Sequence, residues 1–345
     1  YQSFTIYLNS LLSLKFLFIY LIGLSSCTED NTDSKFSFYH WKANAEYTKP
    51  IAEALKSSKA KKIYLHYFDI ENMNTSSYYD DGIYPNYVIK NIDDEYKDFE
   101  IIPTIYLTNS VLQNENLDIE ELVKKIAQLT NQISVDHFKT NFTKIQIDCD
   151  WTVSTRNQYF EILEGLNSYY EVSATIRLHQ IKFQEKTGIP PVKYGALMLY
   201  NVGDLKNVNQ NSILESEIVE QYINNSSTYP LDLSIALPLF SQTVIIKTEK
   251  KIKLSSLTEK TTLENDNHFK AINENLFEVV QDTLFKGFYL SKGFQLKLET
   301  SIENEIIETY QIIKDSKLKT KEIIFYHLDD KSLQKIDFNK IITSL

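Results

Sequence analysis

Residues 144 to 152 read KIQIDCDWT and set Asp148 and Asp150 two positions apart. In an extended chain successive side chains point to opposite faces. Gln146, Asp148, Asp150 and Thr152 therefore share one face, each about 6.6 Å from the next, while Ile145, Ile147, Cys149 and Trp151 share the other. Two carboxylates at that spacing repel by roughly 2.5 kcal/mol at an effective dielectric near 20, equivalent to nearly two pKa units. One of them is then protonated near neutrality unless a cation relieves it. The chain has 36 basic residues, yet only Arg156 and Arg177 are arginine. A sequence that uses lysine nearly everywhere keeps arginine where a permanently charged fork is hard to replace. Arg177 is in phase with Ser173, Thr175 and His179, so it is expected to neutralise Asp148 and leave Asp150 as the more titratable acid. One carboxylate held charged and one held protonatable is what acid–base chemistry on a glycosidic bond requires. A purely structural ion pair, or an edge strand with one wet face, gives the same pattern.

The elements that must hold these groups are apolar, β-rich stretches, most of them followed by a helical pattern. They are residues 36–41, 62–70, 101–108, 144–152, 172–179, 194–201, 231–240 and 322–328. The segment DIEELVKKIAQLTNQI after the third places Ile119, Leu122, Ile126 and Leu129 at helical spacing, and STRNQYFEILEGLNSYY after the fourth offers Ser154 as a cap. A long polar loop follows the second. Eight repeated β-then-α units imply a parallel sheet closed into a (β/α)8 TIM barrel, and the sequence has no Gly-rich phosphate loop to favour an open doubly wound sheet. Residues 241–299 read as β-hairpins inserted between the seventh and eighth strands. In such a barrel the apolar set of the fourth strand suits the helix side, and Asp148 and Asp150 point inward.

Scarce residue types collect at the strand ends, where barrel active sites are built. Both tryptophans, Trp41 and Trp151, fall there, as do four of the six histidines, His40, His66, His179 and His327. His179, His327 and Glu71 are reserve candidates for a proton donor. Aromatic and His side chains filling a barrel interior would produce the same clustering.

Residues 145–152 resemble the D-G-x-D-x-D-x-E strand of family 18 glycoside hydrolases, the chitinases and endo-acetylglucosaminidases. The sixth stretch, ALMLYN, is similar to their M-x-Y-[DN] motif and places Met198, Tyr200 and Asn201; ALPLF on the seventh resembles G-x-P-F-Y. The resemblance implies a barrel acting on a glycan and matches Asp148, Asp150 and Tyr200; together with Arg177, singled out by its phase with the acids, they form the candidate catalytic set. Gln146, His40, Trp41, His66, His179, Met198, Asn201 and His327 are the substrate-binding candidates. It breaks at Thr152, where the family has its proton-donating Glu, and at Ile145 in place of the first Asp. A closer resemblance, over most of residues 35–345, is to uncharacterised bacterial barrel proteins with Q-I-D-x-D-x-x-[ST], which brings no activity. Three readings stay open: a glycan-cleaving enzyme, a non-catalytic glycan-binding or structural protein that lost the acid, and a metal-dependent hydrolase using Asp148, Asp150 and His179. No H-x-H strand and no H-E-x-x-H supports the last, and neither metal nor cofactor is expected.

The first 26 residues look like a secretory signal, with Lys15 before an apolar run from Phe16 to Leu24 that is too short to span a bilayer. Leu24, Ser25 and Ser26 before Cys27 resemble a bacterial lipobox. Cys27 is therefore expected to carry lipid, and the acidic residues 27–34 to form a polar tether like those of Bacteroidetes-type lipoproteins. An outer-membrane lipoprotein of the cell envelope follows, lipid-anchored and a monomer, with a glycan or peptidoglycan fragment as partner. The net charge of -10, without a basic stripe, argues against nucleic acid. Roughly 318 residues follow Cys27, enough for one large barrel at residues 35–345.

Overall fold

The computed structural model describes residues 35–73, 82–247 and 251–345; the signal segment, Cys27 and the tether lie outside them. Eight parallel strands form a closed barrel: β1 (Phe36–His40), β2 (Lys62–Asn72), β3 (Glu100–Leu107), β4 (Lys144–Asp148), β5 (Glu171–Arg177), β6 (Tyr194–Met198), β7 (Asp232–Pro238) and β8 (Thr320–Tyr326). Closure is made by β1, which pairs with β8 from Phe36↔Ile323 to Phe38↔Phe325 and with β2 from Phe38↔Ile63 to His40↔Leu65. The TIM-barrel expectation holds.

The helix layer follows from amphipathic segments. The longest helix, Ile119–Phe138, is capped by Asp118, whose carboxylate accepts the Glu121 N–H at 3.0 Å, and it buries Leu122, Ile126 and Ile133 against the barrel. Arg156–Leu166 follows β4 and buries Tyr159, Ile162, Leu163 and Leu166. Among the described residues no α-helix joins β2 to β3. There β2 runs on to Asn72 and pairs with an antiparallel strand, Ile83–Asn86.

Two strands stop earlier than their apolar patterns suggest, because side chains capture the backbone groups a longer ladder would need. The Cys149 N–H donates to Thr175 Oγ1 at 3.3 Å and the Thr152 N–H to Thr155 Oγ1 at 2.9 Å, so β4 ends at Asp148 and not at 152. The Arg177 N–H donates to Gln180 Oε1 at 2.7 Å, which opens the helix Leu178–Lys182 and ends β5 two residues before His179. In β2 the register shifts between His66 and Phe68. This bulge brings His66 and Asp69, three apart and otherwise on opposite faces, within hydrogen-bond reach.

Odd positions of β1 face the interior, where the Tyr39 hydroxyl donates to Gln146 Oε1 at 2.5 Å. Toward the other end of the barrel Glu322 accepts from Tyr64 (2.5 Å), Lys62 (2.9 Å), Ser234 (3.0 Å) and Ser37 (3.3 Å). A half-buried carboxylate with four donors is a satisfied floor.

Between β7 and the helix Glu303–Asp315 the hairpins expected at 241–299 form a five-stranded antiparallel sheet with its own core around Phe277, Val279 and Leu296. A further hairpin, Thr283–Phe285 with Phe288–Leu290, turns at Lys286 and Gly287, both at positive φ. The sheet is tied to the loop after β6 by a buried pair, Lys297 and Glu299, at 2.8 Å. Lys297 also donates to the carbonyls of Asn207 and Gln210, and Glu299 accepts from Ser212 and Gln242.

Candidate functional site at the barrel mouth

Asp148, the last residue of β4, is 6% exposed and points into the barrel, where Thr175 of β5 donates to its Oδ1 at 2.6 Å. Burial pushes its carboxyl up to about 6, against the lowering pull of Arg177 and of the Thr175 hydrogen bond, with Asp150 and Asp69 adding to the rise. Asp150 lies beyond the strand and is exposed. Arg177 grips it with both arms of the fork, Nε to Oδ1 at 2.5 Å and Nη2 to Oδ2 at 3.1 Å. The expected pairing of Arg177 with Asp148 is thereby corrected. Because β4 stops at Asp148, Asp150 swings out of strand phase and reaches the guanidinium first. Arg177 acts on Asp148 only at longer range, and burial sets the protonation of Asp148.

Aromatic rings make up much of the wall. Tyr200 and Tyr326 stack with centroids 4.4 Å apart, Phe240 closes edge-on at 5.6 Å from Tyr326, and Trp41 lies 5.8 Å from Tyr326. Trp41 is backed by His66 at 4.6 Å, and His66 in turn is hydrogen-bonded to Asp69 through Nε2 and Oδ1 at 2.6 Å. Trp41, Tyr106 and Tyr326 are half-buried. Tyr106, opposite Asp148 in the β3–β4 register, has its phenol pushed up to about 12 by burial and by the charges of Asp150 and Asp148. Met198, opposite Arg177 in the β5–β6 register, is buried at the end of β6.

The structure thus gathers Gln146, Asp148, Asp150, Arg177, Tyr200, Trp41, His66 and Met198 at one end of the barrel, and adds Tyr106 and Asp69. Neither of the last two is among the sequence candidates. Tyr106 is in strand phase with Thr104 beside the acids, while Asp69 is out of phase with His66 unless a bulge intervenes, which alternation cannot reveal. The other candidates lie elsewhere. His40 faces outward from β1 against Tyr96, ring centroids 5.5 Å apart, and burial holds its imidazole down at about 3. His327, next to inward-facing Tyr326, is held down at about 4 by burial, and the Nδ1 of each of these two histidines is buried without a hydrogen-bond partner among the described residues. His179 is exposed on the helix Leu178–Lys182, not on β5. Asn201 is exposed, at φ 53, in the loop after β6. Glu71 accepts from Asn86 Nδ2 at 2.9 Å on the extension of β2. Trp151 packs on the helix side, stacked on Tyr159 at 5.0 Å. Thr152 shares hydrogen bonds with Ser154 and Thr155. Among the described residues no group of three or more His, Cys, Asp and Glu side chains is arranged to hold a metal ion.

No protein-family model matches the chain, and no curated protein matches it. Among solved structures, the C-terminal domain of a putative chitinase from Desulfitobacterium hafniense DCB-2 is similar over 91% of this chain and 99% of that one, at 11% identity and a TM-score of 0.50. The spore cortex-lytic enzyme SleL of Bacillus cereus matches over 90% of this chain and 74% of its own, at 10% identity and a TM-score of 0.45. A chitinase from Rhizomucor miehei covers 90% and 98%, at 9% identity and 0.43. At such identities the likeness is one of fold, the (β/α)8 barrel.

Proposed function

We propose that the chain is a glycan-binding, glycoside-hydrolase-like barrel protein of the cell envelope that holds a sugar at its mouth without cleaving it by the two-carboxylate route. One observation carries this reading: the mouth keeps an aromatic wall while, among the described residues, no carboxyl at the rim is placed as a free proton donor. The Thr152 hydroxyl is too weak an acid to act as a general acid at neutral pH, and Asp150 would have to break both bonds to Arg177 to deliver a proton. Trp41, Tyr106 and Tyr326 offer the flat apolar faces against which sugar rings pack. The chitinase and cortex-lytic enzyme among the structural neighbours motivate the choice of glycans to test. Calorimetry of the purified chain with chitin, cellulose and peptidoglycan oligosaccharides, followed by mass spectrometry of the same mixtures, tests it. Binding with intact sugars is the expected outcome; turnover that Asp148→Asn or Asp150→Asn abolishes would defeat it.

A second reading, hydrolysis with Asp148 and Asp150 as the acid–base pair, is favoured by the carboxyl at about 6 in Asp148. It requires Asp148 to reach the glycosidic oxygen from the base of the mouth, and the same turnover assay decides between the two. We assign the chain to the envelope by way of a lipid on Cys27.

A further inference from the structure

The hydrogen bonds around Asp148 specify where its proton sits. The Cys149 N–H donates to Thr175 Oγ1 at 3.3 Å, and Thr175 Oγ1 lies 2.6 Å from Asp148 Oδ1. Thr175 is 2% exposed and Asp148 Oδ1 is the one acceptor its hydroxyl has among the described residues. A buried O–H left unsatisfied costs more than a hydrogen bond gains, so the hydroxyl donates to Oδ1 and Oδ1 stays an acceptor in both charge states. The proton of the neutral acid then has one place to go. Oδ2 has no hydrogen-bond partner among the described residues. It belongs to a residue in electrostatic range of Tyr39, Tyr200, Tyr326 and Tyr106, the inner wall of the mouth.

We infer that Asp148 enters ligand binding as a neutral acid with its proton on Oδ2, donated to an acceptor oxygen of the ligand, and that Thr175 is the positioning residue that fixes this tautomer. The inference rests on the glycan-binding reading and narrows it. The group that meets Asp148 is an uncharged oxygen, a hydroxyl, ring ether or acetamide carbonyl, and neither an N–H nor an ammonium, which would need the carboxylate there. The same carboxyl titrating near 6 makes the donor available in mildly acidic surroundings and withdraws it above neutrality.

The experiment is calorimetric titration of the whole chain with tetra-N-acetylchitotetraose and with cellotetraose from pH 5 to 8, beside carboxyl carbon NMR of the ligand-free protein. Wild-type affinity is expected to fall about tenfold per pH unit above pH 6, as the neutral form is depleted. Asp148→Asn places an amide N–H at the Oδ2 position and a carbonyl under Thr175. It should bind independently of pH and, at pH 8, about a hundredfold more tightly than wild type. Thr175→Val, by removing the donor that favours the carboxylate, should move the Asp148 midpoint to higher pH in the free protein, and Thr175→Ser should restore it. A flat wild-type profile, or Asp148→Asn binding no better than wild type at pH 8, overturns the inference. If neither sugar binds at any pH, the glycan reading falls separately. The ligand-free titration then still decides the tautomer, and a Thr175→Val midpoint that is unmoved or lowered rejects it.

Discussion

Asp148 and Asp150 carry the same group two residues apart and meet different physics. Asp148 is desolvated at the base of the barrel mouth, and burial outweighs both the guanidinium and the Thr175 hydroxyl. Asp150, outside the ladder, keeps water and gains a bidentate partner. The sign of the pH dependence follows. A carboxyl raised in the folded state contributes stability that is present below its unfolded value near 3.8 and is lost as pH rises through about 6. Asp148→Asn should therefore stabilise the protein by about 2–3 kcal/mol above pH 7 and by nothing below pH 4, read from urea unfolding at a series of pH values. Arg177→Leu removes a partner from an Asp150 side chain that is 46% exposed, so its cost is about 1 kcal/mol and not the several of a buried pair. A loss above 3 kcal/mol would show that Arg177 serves the buried acid first.

Two features act through whole elements. Lys297 and Glu299 are 4% and 2% exposed and clamp the inserted sheet to the loop after β6. Lys297→Met strands a buried carboxylate and two backbone carbonyls. It should cost about 3–5 kcal/mol, seen as earlier unfolding of the insertion in hydrogen exchange. His40 and His327 stand at the ends of β1 and β8, the two strands through which the first and last parts of the barrel meet. Their imidazoles titrate at about 3 and about 4 in the folded state, below the ordinary value. A base lowered by folding contributes stability that is present above pH 6.5 and lost as pH falls through those values, because the unfolded chain takes up the protons first. Acid should therefore weaken this seam between pH 6.5 and 3, opposite in sign to the Asp148 effect. His40→Phe should flatten the acid limb of the unfolding profile; an unchanged limb would assign it to other groups.

For the molecule as a whole, a net charge of -10 sets the mouth within an acidic protein, consistent with uncharged ligands at the site. The lipid proposed on Cys27 lies outside the described residues, and its test is independent of the barrel. Expressed in a Gram-negative host, the wild-type chain should label with palmitate and enter the detergent phase. A Cys27→Ser chain that still labels would sink the assignment.

Strand alternation and the recurrence of β-then-α segments were enough to specify a closed eight-stranded barrel, because a face that must be buried leaves a period that a reader can count. The same alternation placed Asp148 inward and Trp151 against a helix. What it could not specify was where each strand stops, since that was decided by side chains distant in sequence: Thr175 on Cys149, Gln180 on Arg177. Those terminations put Asp150 and not Asp148 in the arginine fork and His179 on a helix, and the bulge after His66 brought in Asp69. Residue types and period are local properties carried by the chain. Which acid meets the cation, and which loses its water, are set by distances between strands that exist only once the barrel has closed.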